Sequence, residues 1–477
     1  MRKKFMSLVL TLALAAGVMA CGSKEEPATP APAETGAQEN EGEEAASGSP
    51  EGITLRWVGA GWSQNDKATN IIAKWNAIHP DIAVDYIELG TAVDEGYLTN
   101  LDTMISGGEV VDLTYLTYDD VYKRVINGGA LPLDSYIEAA GDNYEDMYGT
   151  LSTAMLTYND EIYGVPFAGN TFKVFYNKTM TDAAGITIPE TWSCEEFTQA
   201  AKKLNNPDQG IYGCVFPYLW DSLNYVSAEL CGWQPVKVEA DGTVVPNFDD
   251  ETFKAAVEWA RNLSAVEQVS PDMATQQSES LNRRQALATG KAAMIMDGPF
   301  TLVWMQNYMF NDPGEGPLSF ELGVTNVPYI NETGKDVSYN KVAGALYVPK
   351  SAQYPAEAYE FMKFICNECP EESANYMPIY AGADMKAATK SFTEYVDANG
   401  ETHTEVYSQE VAEGAVATPF ESHIGRYEYD PGLATEISLM NTLFAEQYGL
   451  YMYGEMDLED WVEMMQQMGE AELQAAR

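Results

Sequence analysis

The sequence predicts an α/β fold made of two lobes, each with a mostly parallel sheet flanked by helices. Segments with strand-like alternation take turns with segments that have helical apolar spacing, which is typical of a sheet covered by helices on both faces. The body of the chain, from Ile53 to Arg477, has about 425 residues. Since a single hydrophobic core rarely serves more than about 250–300 residues, two lobes are expected.

The alternation is clearest at the start of the body. The predicted order is strand 53–58, helix 67–79, strand 82–87, helix 97–106 and strand 110–116. Ligands of such sheets bind beyond the carboxyl ends of the strands. This places Trp62, after the first strand, and Tyr118 and Asp119, after the third, where a binding site is expected.

The first twenty residues predict a signal peptide. Basic residues 2–4 precede the apolar run Phe5–Ala20, which is too short to span a bilayer comfortably. The run ends in Val18–Cys21, which resembles a bacterial lipoprotein signal cleaved before Cys21. The resemblance implies a lipid on Cys21 that anchors an extracytoplasmic protein to the cell membrane. An ordinary secretory signal with an incidental cysteine is the alternative.

Residues 21–52 predict a disordered acidic linker. The segment consists mainly of Glu, Ala, Pro, Gly, Ser and Thr and contains no aromatic residue. Such a composition buries too little apolar surface to offset the entropy of ordering. It would act as a flexible tether between the lipid and the folded body.

The chain is strongly acidic, with 72 acidic against 27 basic residues and a formal net charge of −45. A field of this sign opposes nucleic acid, which is therefore not an expected partner. It also disfavours ligands with phosphate or carboxylate groups, unless a local arginine pocket overrides it.

No metal or cofactor is predicted. Cys366 and Cys369 have a metal-like spacing, but no second such pair exists and the three histidines are scattered. Buried thiols or one incidental disulfide are expected for these two cysteines and for Cys194, Cys214 and Cys231.

A series of short motifs follows along the body. They are Ile78–Asp81, Gly107–Leu113, Tyr163–Phe167, Phe175–Lys178, Gly185–Trp192, Gly290–Met294, Asp297–Phe300, Pro349–Ser351 and Ala356–Phe361. In this order they resemble the family 1 extracellular solute-binding proteins, which include the maltose-binding protein and are receptors of ABC-type importers. The resemblance implies a periplasmic-binding-protein (Venus-flytrap) fold that acts as a monomer and closes on a solute between hinged lobes.

Matching motifs place three hinge crossings, near 166–172, 326–328 and 375–378. They predict an N-lobe of residues 53–165 plus 328–375 and a C-lobe of residues 172–325 plus 378–477. The closed form would dock on the transmembrane subunits of an ABC permease.

Aromatic residues and polar side chains together favour a sugar ligand, because sugars present flat C–H patches ringed by hydroxyls. The chain has 9 Trp, 29 Tyr and 16 Phe. The resemblance places Asp119, Asn170 and Tyr218 where the family has a sugar-binding Asp, a sugar-contacting Glu and a stacking Tyr. Phe300 replaces a stacking Trp, which keeps the aromatic face but removes the indole donor.

Further candidate ligand contacts come from loops and late segments. They are Trp62, Tyr118, Trp220, Asp297, Tyr380 and Tyr427. For the aromatic candidates simple packing is the alternative, and Asp119 could instead cap the following helix.

Two other functions remain open. An acidic field with Asp119, Asp221 and Asp297 near the cleft would suit a polyamine or other cation. A surface glycoside hydrolase is the alternative from another class, because abundant carboxylates could include a catalytic pair. The chain has no nucleophile elbow, zincin motif or P-loop, so a binding protein rather than an enzyme is predicted.

Overall fold

The computed structural model describes residues 52–61, 66–90, 93, 95–217, 230–231, 233–311, 314–331, 340–373, 378–417 and 434–475. A compact unit begins at Gly52, one residue before the predicted start of the body. The predicted signal peptide, the lipidation site at Cys21 and the acidic linker lie outside the described residues. No helix in the described ranges is both long enough and apolar enough to cross a membrane.

The strands are β1 (Ile53–Gly59), β2 (Ile82–Glu88), β3 (Leu113–Thr117), β4 (Thr157–Tyr158), β5 (Glu161–Ile162), β6 (Val165–Thr171), β7 (Lys173–Asn177), β8 (Val236–Val238), β9 (Val244–Pro246), β10 (Met294–Asp297), β11 (Leu322–Asn326), β12 (Asn340–Tyr347), β13 (Glu394–Val396) and β14 (Thr402–Thr404).

The helices are α1 (Lys67–Ile78), α2 (Glu95–Ser106), α3 (Tyr118–Ile126), α4 (Asp134–Ala140), α5 (Tyr144–Leu156), α6 (Lys178–Ala183), α7 (Cys194–Leu204), α8 (Glu251–Ala265), α9 (Met273–Ser278), α10 (Arg283–Ala288), α11 (Phe300–Phe310), α12 (Pro355–Glu368), α13 (Met385–Ala388), α14 (Lys390–Thr393), α15 (Gln409–Val416), α16 (Ala434–Met452) and α17 (Leu458–Ala475).

The first lobe is built on a five-stranded sheet with the order β2-β1-β3-β12-β6. Strands β2, β1 and β3 are parallel, so the predicted alternation of strands and helices at the start of the body is confirmed. Strand β12 returns to this sheet from much later in the chain and pairs antiparallel with both β3 and β6.

The buried carboxylate of Asp112 connects the first sheet to α12. Its Oδ2 accepts a hydrogen bond from the backbone N–H of Arg56 in β1 (2.8 Å). Its Oδ1 accepts from the N–H groups of Gln353 (2.7 Å) and Tyr354 (3.0 Å), just before α12. The charge-assisted bonds satisfy backbone donors at the start of the helix.

The second lobe contains a three-stranded sheet with the order β10-β7-β11. Strand β7 is antiparallel to both neighbours, which differs from the mostly parallel sheet predicted for this lobe. The reason is topological. Only Phe172 separates β6 from β7, so β7 leaves the junction of the two sheets, whereas β10 and β11 run toward it.

Apolar helices complete the second lobe. Aromatic rings of α8, α16 and α17 meet around Phe253, which lies 6.0 Å from Phe444 and 6.1 Å from Trp461 between ring centroids. Edge-to-face and offset contacts at these distances are favourable beyond the area they bury. The C-terminal helices α16 and α17 therefore pack against α8, and the predicted lobe ranges stay predictions.

Backbone hydrogen bonds near two predicted hinge crossings join distant parts of the chain. The backbone N–H of Tyr329 bonds to Trp192 O and that of Ile330 to Leu230 O, which are partners on the second-lobe side. The N–H of Ala381 bonds to the carbonyl of Met147 in α5, on the first-lobe side. The predicted lobe boundaries near residues 328 and 378 stay predictions. The third predicted crossing includes residues 374–377, which lie outside the described ranges.

Candidate functional site

The two sheets meet where β6 leads into β7. The register of the second sheet places Lys173, the first residue of β7, opposite both Asp297 and Asn326, the last residues of β10 and β11. Lys173 is buried and its Nζ donates a hydrogen bond to Asn326 Oδ1 (2.6 Å). Three strand ends therefore converge on the edge of the second sheet that faces the first.

Asn170, near the end of β6, has an unsatisfied acceptor at this junction. Its side chain is only 8% exposed, and its Oδ1 is buried without a hydrogen-bond partner. Leaving a buried acceptor unpaired costs about 1–3 kcal/mol. A hydroxyl group of a bound solute could supply the missing donor, and contact of Asn170 with a ligand stays a prediction.

Gly298 brings Asn170 and Phe300 together. A Cβ atom added to Gly298 would lie 2.8 Å from Asn170 Oδ1 and 2.4 Å from Phe300 Cε1. The amide comes from the first sheet, whereas the ring begins α11 directly after β10 of the second. Two residues predicted separately are therefore neighbours across the junction of the lobes, and only glycine leaves them room.

Asp297 is fully buried beneath two arginines. Arg283 approaches it with Nε and Nη2 (both 3.1 Å), and Arg284 with Nε (2.7 Å) and Nη2 (3.3 Å). Burial alone would raise the pKa of Asp297, but the guanidiniums outweigh it and hold the pKa below its ordinary value. The carboxylate is 0% exposed, and it holds the two arginines in place. Contact of Asp297 with a ligand stays a prediction.

The arginine pair was missed by the sequence analysis. Both residues begin α10, whose N-cap Asn282 accepts hydrogen bonds from the N–H groups of Arg284 and Gln285 and fixes the first turn. The guanidinium carbon of Arg284 lies 4.9 Å from the centroid of the Phe300 ring. This is a cation–π contact, and stacking of Phe300 on a solute stays a prediction.

The structure leaves the remaining aromatic ligand contacts untested. Trp62, Tyr218, Trp220 and Tyr427 lie outside the described residues, as does Asp221 of the cation hypothesis. Tyr380 is half-buried and packs near Tyr148 of α5, with 6.2 Å between ring centroids. Its role as a ligand contact stays a prediction.

Tyr118 and Asp119 occupy the first turn of α3, but their side chains lie outside the described part of the chain. Thr117 is the N-cap residue of α3, so the cap role that was the alternative for Asp119 belongs to Thr117. The Thr117 hydroxyl donates a hydrogen bond to the Asp120 carboxylate (Oδ2, 2.7 Å). Contact of Tyr118 and Asp119 with a ligand stays a prediction.

The five cysteines of the body are buried and free, which agrees with the expectation of buried thiols rather than a disulfide. Burial raises the pKa of Cys231 and of Cys369 to about 12. Thiols with such pKa values are protonated at neutral pH and are poor nucleophiles and poor metal ligands.

Among the described residues, three potential metal ligands cluster on the β13–β14 hairpin. Asp397, Glu401 and His403 have ligand atoms within 4.8 Å of one another. However, Asp397 Oδ1 accepts the N–H groups of Asn399 (2.8 Å) and Glu401 (2.9 Å), and its Oδ2 lies 3.3 Å from His403 Nε2. The three side chains are therefore close together because Asp397 closes the tight turn of the hairpin, and no metal is needed to explain their positions.

A cavity of about 350 Å³ lies between β11 and α15. Its walls include Lys173 and Lys178 together with the carboxylates of Glu190, Glu321 and Glu410. None of the predicted ligand residues lines it, so it is separate from the cluster around Gly298.

Comparison with known proteins identifies the family. Residues 61–368 match the family model described as bacterial extracellular solute-binding protein. The chain belongs to this family. The matched region contains Asn170, Gly298 and Phe300, which we call the Gly298 cluster, and most of both sheets. The predicted family resemblance is confirmed.

Two named relatives match this solute-binding protein in part. One is an uncharacterized lipoprotein in the oleD 5′ region of Streptomyces antibioticus, 32% identical over 173 residues, which is 35% of this chain and 36% of the relative. The other is a maltotriose-binding protein of Pyrococcus abyssi, 23% identical over 267 residues, which is 55% of this chain and 52% of the relative. The chain thus spans about a third to a half of the length of these relatives.

Solved structures agree in fold over nearly their whole length. A sugar transporter of Rhizobium etli in an open conformation matches with a TM-score of 0.68 at 19% identity, covering 88% of this chain and 99% of that one. The galacto-N-biose/lacto-N-biose I-binding protein of Bifidobacterium longum, solved with lacto-N-biose, matches with a TM-score of 0.61 at 19% identity, covering 89% and 98%. The two-lobed solute-binding-protein fold predicted from the sequence is confirmed.

Proposed function

We propose that this solute-binding protein is lipid-anchored, captures a carbohydrate in the cleft between its lobes and delivers it to an ABC-type permease. The observation that carries the proposal is the meeting of Asn170 and Phe300 at Gly298. A solute bound there touches both lobes. Because a ligand shifts an equilibrium only through different affinities for its two states, contact with both lobes is what lets it drive closure.

The chemistry of the cluster supports a carbohydrate. The unpaired Oδ1 of Asn170 requires a hydroxyl donor, and Phe300 offers an aromatic face for C–H contacts. The structurally similar Bifidobacterium longum protein was solved with a disaccharide, and the matched Pyrococcus abyssi relative is named for a trisaccharide. A sugar is therefore the proposed class of solute.

The alternatives receive less support. Asp297 was one of three carboxylates expected to favour a cation, but two arginines compensate its charge. The carboxylate of Asp297 is therefore already paired and offers a polyamine little. For the hydrolase alternative, family and fold are those of solute-binding proteins, and we propose that the protein returns its sugar unchanged. Chromatography of an oligosaccharide after incubation with excess protein would reveal any cleavage.

A thermal-shift screen tests the proposal directly. Neutral sugars, sugar acids and polyamines would be compared, because a ligand of the native state raises the melting temperature. We expect sugars to raise it and spermidine or putrescine to leave it unchanged. A shift by the polyamines alone would contradict the carbohydrate assignment.

Substitutions at the cluster should weaken binding of any sugar found in that screen. Asn170→Ala and Phe300→Ala are each expected to raise Kd about 10-fold, through loss of a hydrogen bond or of an aromatic contact. Isothermal titration calorimetry would measure Kd. Tyr453→Ala serves as the control, because this residue is 42% exposed in the turn between α16 and α17. If both site variants bind the sugar with unchanged Kd, the sugar does not bind at Asn170 and Phe300.

Lipid anchoring predicts a simple fractionation result. Full-length protein expressed in a bacterial host is expected in the membrane fraction, and Cys21→Ala is expected to move it out of the detergent phase in Triton X-114 partitioning. Cys194→Ala is a matched control, since this cysteine is buried in the folded body. Equal partitioning of wild type and Cys21→Ala would contradict the anchor.

A further inference from the structure

We propose that the open edge of β11 binds an extended, positively charged segment of a partner protein, which pairs with β11 as an additional strand. This surface is separate from the Gly298 cluster, because none of the predicted ligand residues lines the cavity beside it. The inference therefore goes beyond the proposed capture of a carbohydrate. It depends on the backbone groups of β11, on the cavity along them and on the charges of its walls.

The backbone of β11 has one side that is not used by the sheet. In the order β10-β7-β11, the described neighbour of β11 is β7 alone. Residues of an antiparallel strand direct their backbone hydrogen bonds alternately to one side and to the other. Because the N–H of Lys178 donates to the carbonyl of Glu321 (2.8 Å), the backbone groups of Leu322 and Val324 point away from β7.

This edge is closed at one end and open in the middle. Asn326 lies two residues beyond Val324, and its outward carbonyl accepts a hydrogen bond from the indole N–H of Trp192 (2.8 Å). No described residue bonds to the outward N–H and C=O groups of Leu322 or Val324. An open strand edge of this kind is a template for pairing with another strand.

The cavity of about 350 Å³ follows the edge of β11. Its walls include six consecutive residues, Glu321–Asn326, whereas a cavity over one face of the sheet would be lined by alternate residues. Thr325 Oγ1 donates to the carbonyl of Pro189 (2.6 Å). The next side chain, Val324, points to the opposite face, where a Cβ added to Gly414 of α15 would lie 2.7 Å from its Cγ1. The cavity is therefore a groove with the strand edge as its floor.

The two walls of the groove each carry an uncompensated carboxylate. Glu190 belongs to one wall and Glu410 of α15 to the other, and both residues are exposed. Neither carboxylate forms an ion pair with a described residue. Lysine or arginine side chains of a bound segment would complement these charges and favour it over an acidic segment.

The lysines that line the groove have partners of their own. Lys178 pairs with Asp182 (2.8 Å) and with Glu321 (3.4 Å). Lys173 is buried and donates to Asn326 at the closed end of the edge. They therefore leave Glu190 and Glu410, on the two walls, as the charges available to a partner.

Backbone pairing distinguishes an extended peptide from a small cation. A cation would use the carboxylates alone, whereas Leu322 and Val324 repeat a donor and an acceptor at the two-residue interval of a strand. The side chains of an added strand would alternate between the wall of Glu190 and the wall of Glu410. A segment with basic residues near its ends fits both features.

Affinity selection from peptide libraries tests the proposal. Two libraries of capped five-residue peptides would be compared, one with lysine and one with glutamate at both ends, each with all residues at the three central positions. We expect the protein to retain members of the lysine library only. Fluorescence polarisation would then give Kd for the tightest member and for its N-methylated form, which keeps the charge but cannot pair.

N-methylation is expected to raise Kd about 10-fold or more, through loss of at least one backbone hydrogen bond and exclusion of the others. Equal binding of the methylated peptide would indicate attraction to the acidic surface in general, since the chain has a net charge of −45, and would overturn the proposal. Retention of no lysine peptide would overturn it as well.

Variants of the groove locate the peptide. Val324→Pro removes an outward N–H that the sheet does not use, a position where edge strands accept proline, and should raise Kd about 10-fold. Glu410→Gln should raise Kd about three- to 10-fold. Glu413→Gln is the matched control, because Glu413 is exposed on the same helix but does not line the groove.

Unchanged Kd in Glu410→Gln and in folded Val324→Pro would place the peptide elsewhere and contradict the proposal. Circular dichroism would show whether Val324→Pro is folded, and Glu410→Gln against Glu413→Gln decides if it is not. Sugar-induced thermal shifts, measured in the same variants, should equal that of wild type. The peptide site can therefore fail while the carbohydrate function stands.

Other occupants of the edge would give different results. A dimer in sedimentation velocity that Val324→Pro dissociates would assign the edge to a second copy of the chain. Peptide binding that appears only after deletion of residues 418–433, which follow Ala417 at the end of the groove, would assign it to the chain's own segment. Either result would overturn the proposed partner.

Discussion

Asp297→Asn is expected to lower the free energy of unfolding by about 3 kcal/mol. The substitution keeps the shape of the side chain but removes the charge that compensates Arg283 and Arg284, which are 15% and 20% exposed. Two guanidiniums would then face an amide that accepts on one side only. Breaking a buried ion pair by removing one partner leaves an uncompensated charge, which is why the effect is large.

The effect of Asp297→Asn should depend on pH in a defined direction. The folded-state pKa of Asp297 lies below its ordinary value, so the ionised carboxylate stabilises the native state above the unfolded pKa of about 3.9. As the pH falls through the lower folded-state pKa, that contribution is lost. The difference between wild type and variant should be constant from about pH 7 to pH 5 and shrink below about pH 4.

Urea unfolding monitored by tryptophan fluorescence would measure this difference. Asp182→Asn is the matched control, because Asp182 pairs with Lys178 at 2.8 Å on the surface, with side chains 58% and 39% exposed. Exposed pairs of this kind contribute about 0–1 kcal/mol. Equal destabilisation by Asp297→Asn and Asp182→Asn would show that the pairing of Asp297 with the two arginines does not support the fold as described.

The fold could be predicted well where local pattern determines it. Strands β1, β2 and β3 and helices α1 and α2 follow from alternation and helical spacing, since each pattern reflects burial of one face. The pairing of β12 between β3 and β6 could not be predicted, because it joins residues about 170 to 230 positions apart. No local pattern records such a partner.

Hinge boundaries are harder to predict than elements. Near the predicted boundaries at residues 328 and 378, Tyr329, Ile330 and Ala381 form backbone hydrogen bonds to distant carbonyls. A backbone hydrogen bond to a distant carbonyl has no signature in the local sequence. The lobe ranges therefore remain a proposal whose ends depend on a few such bonds.

The candidate site, too, could be predicted from the sequence only in part. Asn170 and Phe300 were identified through motifs, and the structure brings them together at Gly298. The pairing of Asp297 with Arg283 and Arg284 could not be predicted, because these arginines lie on a different element, α10.

Gly298→Val is expected to raise Kd for the solute about 100-fold. A Cβ atom at this position would approach Phe300 Cε1 to 2.4 Å and Asn170 Oδ1 to 2.8 Å, against ordinary contacts of about 3.5–4 Å. Both side chains would have to move away, so the variant loses the aromatic contact and the amide hydrogen bond together. Two such losses amount to about 3 kcal/mol.

Gly449→Ala provides the control for Gly298→Val. Gly449 lies within α16, and an added Cβ would meet only the Tyr453 ring at an ordinary 3.4 Å. That variant should bind normally and melt no lower than wild type, because alanine favours a helix over glycine. Circular dichroism would confirm that Gly298→Val is folded, since overpacking alone costs about 1–3 kcal/mol. Normal affinity in folded Gly298→Val would place the solute elsewhere, because a ligand held between Asn170 and Phe300 cannot tolerate the displacement of both.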